Sequence, residues 1–166
     1  MSTQTISEKD MFLTTWQREF DITLRALKNY PAGKEEFKPA EKSRTGRELM
    51  WDFVLVEKMF EEVSQGKMDM MSKPPPPPTT VAEIIKQYET SHAAAVTKLR
   101  TAADSVFNQT VKVPTGPKQT GEVRNIEMMW TMLFDSINHR GQLVVYLRML
   151  GAKVPSIYGP SADEPW

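Results

Sequence analysis

Asp135 and His139 stand four residues apart within Asp135-Ser136-Ile137-Asn138-His139-Arg140-Gly141-Gln142. On a helix, positions i and i+4 lie one above the other on the same face. A carboxylate and an imidazole at that spacing can grip one metal ion. The surrounding segment is apolar, with Met128, Met129, Trp130, Met132, Leu133, Phe134, Ile137, Leu143 and Val144. A polar or charged group in such a setting is costly unless it is paired or coordinates something. His139 is one of only two histidines in the chain, the other being His92.

Asp52 is the candidate third ligand. It is the only polar residue in the eight-residue run Leu49-Met50-Trp51-Asp52-Phe53-Val54-Leu55-Val56. It lies three residues after Leu49 and four before Val56, so it shares their face. Together with Asp135 and His139 it offers two carboxylates and one imidazole, the chemistry of open-sided Zn, Mn, Fe or Ni sites. The plainer alternative puts Asp52 at the helix edge, paired with a lysine or arginine. Position alone leaves both open.

Other reactive-looking residues have plainer readings. Glu89-Thr90-Ser91-His92 is a Glu-x-x-His unit, but di-iron bundles need two copies plus two further glutamates, and the chain has one copy. His92 therefore reads as a surface histidine or one satisfied by neighbours. Met68, Met70 and Met71 read as adaptable packing. Trp16, Trp51, Trp130 and Trp166 read as core or tail anchors, with Trp130 a candidate to line a pocket near Asp135. No His-Glu-x-x-His, phosphate-binding glycine loop or Gly-x-Ser-x-Gly is present.

Four helical segments must position these side chains. Ser7 is a candidate N-cap for the first, where Phe12, Trp16, Phe20, Leu24 and Leu27 recur at helical spacing before Asn29-Tyr30-Pro31-Ala32-Gly33. Thr45-Gly46-Arg47-Glu48 has the capping-box pattern and opens the second, which ends near Gly66. Thr80-Val81-Ala82-Glu83 repeats that pattern and opens the third. The fourth is expected from about Glu122 to Leu150, closing at Gly151 with Pro155 beyond it. β-type alternation shows only weakly, at Val111-Lys112-Val113. Residues 103–121 read as a long loop covering one end of the bundle. Pro74–Pro78 favours a polyproline II rod, read as a stiff strut between the second and third helices rather than a ligand for SH3 or WW modules.

Composition bounds the function. The 166 residues fit one domain spanning 1–166, with 40% hydrophobic and 25% charged residues. Lys+Arg and Asp+Glu are equal at 21 each, which argues against nucleic-acid binding through a broad basic surface. There is no cysteine, so disulfides, thiolate ligands and a cysteine nucleophile are excluded. The N-terminus lacks the pattern of a signal peptide, and no window approaches a membrane span. The expectation is a cytoplasmic protein.

The segment His139-Arg140-Gly141-Gln142-Leu143, followed by Val145-Tyr146-Leu147-Arg148, Gly151 and the tail Val154–Glu164, resembles the DinB/YfiT-like family of metalloenzymes, as does Thr45 through Phe53. The resemblance covers most of the chain. It implies an all-α four-helix bundle with up-down-down-up topology. It also implies a metal site normally made of three histidines, one on the second helix and two at i, i+4 on the last. Those positions fall on Asp52, Asp135 and His139, so two of the three histidines are aspartates here. A divalent ion (Zn, Ni, Mn or Fe) is the implied cofactor, and a low-molecular-weight thiol the implied substrate of an S-transferase. Relatives pair through bundle faces, and two-fold dimers are the commonest assemblies, so a homodimer is expected. Arg140 and Gln142 are expected to support the site or anchor the helix. The alternative is a non-catalytic helical bundle with a degenerate or empty metal site. The tail 151–166 is expected to pack across a bundle end and narrow access to the site.

Overall fold

The computed structural model describes residues 6–69 and 72–165. Met70, Met71 and Trp166 fall outside that range. Helix α1 (Glu8–Lys28) is capped by the Ser7 side chain, which accepts from the Asp10 backbone N–H. Helix α2 (Gly46–Val63) starts in a complete capping box: Thr45 Oγ1 accepts from Glu48 N–H, and the Glu48 carboxylate accepts from Thr45 N–H. Helix α3 (Val81–Thr101) has half of that arrangement, with Thr80 accepting from Glu83 N–H.

The expected long loop takes a different form. It contains a short helix, α4 (Asp104–Asn108), and a hairpin of β1 (Thr110–Gly116) and β2 (Gln119–Arg124). The strands pair antiparallel, Val111 with Val123 and Val113 with Gly121. Val111 and Val113 are the buried positions of β1, so the weak alternation was a strand signal. Because 119–124 pair with β1, the last helix, α5 (Asn125–Met149), starts at Asn125 rather than near Glu122. It closes as expected, with Gly151 at a φ of +69°.

Contacts at the helix ends give the topology. The Tyr30 ring, just past α1, lies against Gly46 at the start of α2, so those helices run antiparallel. Glu35 accepts from Arg47 N–H through its carbonyl and from Val81 N–H through its carboxylate, so α2 and α3 begin side by side and run parallel. The chain returns along α2 to make this possible, and Trp51 Nε1 donates to the Pro75 carbonyl at 2.8 Å. The proline run lies in this return between α2 and α3. Arg124 pairs with Glu8, so α5 begins beside the start of α1. The four long helices therefore run up-down-down-up.

Two apolar clusters fill the bundle. One holds Leu27, Met50, Phe53, Ile84, Tyr88 and Leu147; the other holds Phe12, Trp16, Phe60, Leu99, Met129 and Leu133. A buried polar belt crosses at mid-height. It comprises Glu19 and Thr23 of α1, Glu57 of α2, Ser91 and His92 of α3 and Arg140 of α5. Burying Glu19, Thr23, Glu57, His92 and Arg140 is tolerable because each is bonded.

The tail is ordered against the bundle where described. Val154 is buried, its N–H donates to Asp163, and Ser156 N–H donates to Glu164 at 2.7 Å. Glu164 in turn pairs with Arg25 at the end of α1, and Asp163 with Arg148. Among the described residues, no helix is long and apolar enough to cross a membrane.

Candidate functional site

α5 carries His139 and Asp135 on one face, and the i, i+4 spacing brings His139 Nε2 to 3.1 Å from Asp135 Oδ2. Asp52, from α2, places its Oδ2 3.7 Å from the same nitrogen. The structure thus brings all three candidate residues together. Their burial differs from what the apolar setting implied. The His139 side chain is mostly buried, but Asp52 is half-buried and the Asp135 side chain is 61% exposed. Phe134 beside it is exposed as well, so this stretch of α5 faces outward rather than into the core.

Arg44 is the site residue that sequence reasoning missed. It precedes the Thr45 cap and its guanidinium bonds to the Asp52 carboxylate through Nη1. Asp52 therefore meets both alternatives at once: it faces His139 and it pairs with an arginine. Arg44 Nη2 lies 3.2 Å from Nδ1 and 3.1 Å from Nε2 of His139. A donor equidistant from both ring nitrogens cannot lie along either in-plane lone pair. The guanidinium sits over the ring, and the in-plane direction of Nε2 is left to the carboxylates. Burial lowers the His139 pKa; the Asp135 charge and a bond to the Gln142 side chain oppose this, and the Arg44 charge adds to it. Lowering favours the neutral imidazole, the form that can ligate a metal.

These four side chains form the polar end of a groove of about 430 Å³, lined otherwise by Leu55, Val56, Met59, Met128, Thr131 and Met132. Past Leu55 and Met59 it continues toward Pro74 and Pro75, and past Met128 and Thr131 toward Val113, Pro114 and Val123 of the hairpin. Neither Trp130 nor any described tail residue lines it; Trp130 packs edge-on to Phe12 and stacks on Phe134. The tail does not narrow the groove as expected.

Does a metal fit? Two ligand atoms each about 2.0–2.2 Å from one ion lie about 3.0–3.5 Å apart. The 3.1 Å and 3.7 Å separations around His139 Nε2 are close to that range. Two carboxylates and a neutral imidazole suit a divalent cation. Among the described residues, however, no three histidine or acidic side chains close around a common point. Arg44 takes up the space on Asp52 and His139. The donor chemistry suits a divalent ion; with Arg44 on Asp52 the three side chains do not enclose one.

His92 has no part in this site. Its Nδ1 lies 2.9 Å from Glu57 Oε2, its Nε2 lies 3.2 Å from Gln17 Oε1, and its ring stacks on Phe20. It is a satisfied core histidine, and Glu89 pairs instead with Lys28. Arg140 anchors the helix, as considered from sequence, by donating to Glu19 and Thr23 of α1.

Structural neighbours agree with this architecture. A DinB-like protein from Bacillus cereus ATCC 10987 superposes with a TM-score of 0.71 at 22% identity, over 89% of this chain and 95% of that one. The DinB-like protein YjoA of Bacillus subtilis gives 0.67 at 16% identity, over 87% and 95%. At these identities the likeness speaks for the fold. No curated protein matches the chain. The DinB family model matches residues 1–165, and the chain belongs to the DinB family.

Proposed function

We propose that this protein is a metal-dependent enzyme acting on a low-molecular-weight thiol in the groove beside His139, with Asp52, Asp135 and His139 holding a divalent Zn, Ni, Mn or Fe ion. The observation that carries this reading is the approach of two carboxylates to one atom, His139 Nε2, at the polar end of an apolar groove. A bound divalent ion supplies Lewis acidity, lowering the pKa of a thiol so that a nucleophile exists at neutral pH. The chain's residues do the rest. Arg140, locked onto Glu19, fixes the rotation of α5 that turns His139 toward the groove. Leu55, Val56, Met59 and Met132 exclude water and hold the apolar body of a substrate, the methionines adapting to its shape.

The test is calorimetric titration of purified, metal-stripped protein with zinc and manganese, followed by a screen of small thiols with electrophilic acceptors. Wild type is expected to take up one ion per chain. His139→Ala is expected to lose it, and equal binding by that variant rejects the assignment. Arg44 on Asp52 favours a second reading, a metal-free bundle that binds a small molecule. No uptake by wild type, together with saturable thiol binding, selects that reading. A homodimer is proposed as well. Phe134, Val145 and Met149 are exposed along α5, with open space at Gly141 between them. A monomer mass by light scattering at micromolar concentration rejects it.

A further inference from the structure

Arg44 has no task among the proposed ligands, yet it touches both Asp52 and His139. Its backbone is fixed. The Arg44 carbonyl accepts from Tyr146 Oη at 2.9 Å, and the next residue caps α2. Its side chain is not enclosed, being 41% exposed. The guanidinium is thus a partly solvent-exposed cation whose backbone root is held at the groove mouth.

Its partners are the very groups a divalent ion would use. Nη1 is on Asp52 Oδ2, the carboxylate oxygen that also faces His139 Nε2. Nη2 lies over the His139 ring. Asp52 and Asp135 carry two negative charges between them, and Arg44 neutralises one. A dication brought against Asp52 and His139 would sit within a few ångströms of the guanidinium and repel it. The ion and the guanidinium would compete for Asp52 Oδ2 and for the space beside His139.

We propose that Arg44 is a built-in competitor for the ion, occupying Asp52 and His139 in the metal-free protein and leaving them when the ion enters. The proposal rests on the metal-dependent reading above. It makes ion affinity the difference between two pairings rather than the strength of one. It also couples ion uptake to the groove, because Arg44 is part of the groove wall and leaves that position as the ion arrives.

The experiment is calorimetric titration with zinc of wild type, Arg44→Met, Arg44→Lys and His139→Ala, each checked for an unchanged melting curve. Arg44→Met keeps the stem and removes the charge. The Tyr146 bond reaches the Arg44 backbone and survives the change. A partly exposed ion pair contributes up to about 1 kcal/mol, a factor of roughly five. Removing the repulsion adds to that, so Arg44→Met is expected to bind zinc about five- to tenfold more tightly. Arg44→Lys keeps a charge and is expected to stay near wild type. Zinc binding by Arg44→Met alone, with none by wild type, supports the competitor in its strongest form and removes the metal-dependent reading of the natural chain. Binding by wild type that is lost in His139→Ala but no tighter in Arg44→Met overturns the competitor alone. No binding by any variant overturns both.

Discussion

Arg140 Nη2 donates to Glu19 Oε2 at 2.7 Å, closing an ion pair whose side chains are only 2% and 3% exposed. It comes one residue after His139, about 100° further around α5, so the pair fixes the helix rotation that presents His139. Arg140 also donates to Thr23 Oγ1 and the Glu19 carbonyl, and Tyr158 Oη lies 2.6 Å from both partners. Removing one member of a buried pair leaves the other charge uncompensated, at a cost of about 3–5 kcal/mol. Arg140→Leu is expected to destabilise the protein by that amount in urea unfolding. A loss below about 1 kcal/mol would show that water reaches the pair.

The same pair sets an acid limit. Burial raises the Glu19 pKa, but the bonds from Tyr158 and Arg140 outweigh it and hold the carboxyl below its ordinary 4.5. A depressed folded pKa gives stability that is present above the unfolded value and lost as pH falls through the folded one. The melting temperature of wild type should therefore drop below about pH 4.5, and Glu19→Gln should show a shallower drop from a lower starting point. Parallel curves for the two proteins would remove Glu19 from the acid transition.

Glu57 behaves in the opposite sense. Burial raises its pKa, against the bonds from His92 and Trp16. Glu57 Oε1 accepts from Trp16 Nε1–H at 3.0 Å, Oε2 lies 2.9 Å from His92 Nδ1, and His92 Nε2 lies 3.2 Å from Gln17 Oε1. A raised folded pKa gives stability that is full below the ordinary 4.5 and lost as pH rises through the folded value. A glutamine amide at this position keeps an acceptor for Trp16 Nε1–H and has no charge to bury. Glu57→Gln is expected to melt like wild type near pH 4 and higher than wild type above pH 8. An equal deficit at both pH values would show that the shape of the belt, not its charge, is what matters.

Some of this was legible in the sequence and some was not. The caps at Ser7, Thr45 and Thr80, the stop at Gly151 and the Asp135–His139 spacing are local, so the chain states them directly. Asp52 could be placed on its face but not given a partner, because Arg44 lies in a loop where no periodicity fixes direction. Glu57 was readable: it falls four residues after Phe53 and three before Phe60, both fully buried. The hairpin was under-read because Pro114, Gly116, Pro117 and Gly121 mask its alternation. Lys118, at a φ of 60°, makes a turn where the sequence offers glycine only at 116 and 121.

Gly46 gives a sharp test of the first crossover. A β-carbon there would overlap the Tyr30 hydroxyl, which donates to the Lys34 carbonyl at 2.9 Å and fixes the turn after α1. Ordinarily alanine is the better helix residue by about 1 kcal/mol. Here the overlap outweighs that gain, since overpacking costs roughly 1–3 kcal/mol. Gly46→Ala is expected to lower stability, and Gly46→Ala with Tyr30→Phe is expected to recover part of the loss. A stabilised single variant would mean that the Tyr30 ring moves aside freely.

The tail supplies the last test. Tyr158 has an exposed ring, yet its hydroxyl reaches the buried Glu19–Arg140 pair, and burial together with the Glu19 bond raises its pKa. Val154 adds buried apolar surface, and Asp163 and Glu164 accept from backbone N–H groups of the same tail. Tyr158→Phe removes the hydroxyl and leaves the ion pair in place, with a cost of about 1–2 kcal/mol. Deleting residues 154–166 removes these contacts together and is expected to lower the melting temperature by several degrees. Because no described tail residue lines the groove, any zinc affinity should stay unchanged in both variants. A melting curve unaffected by the deletion would show that α1 and α5 hold the ion pair without the tail.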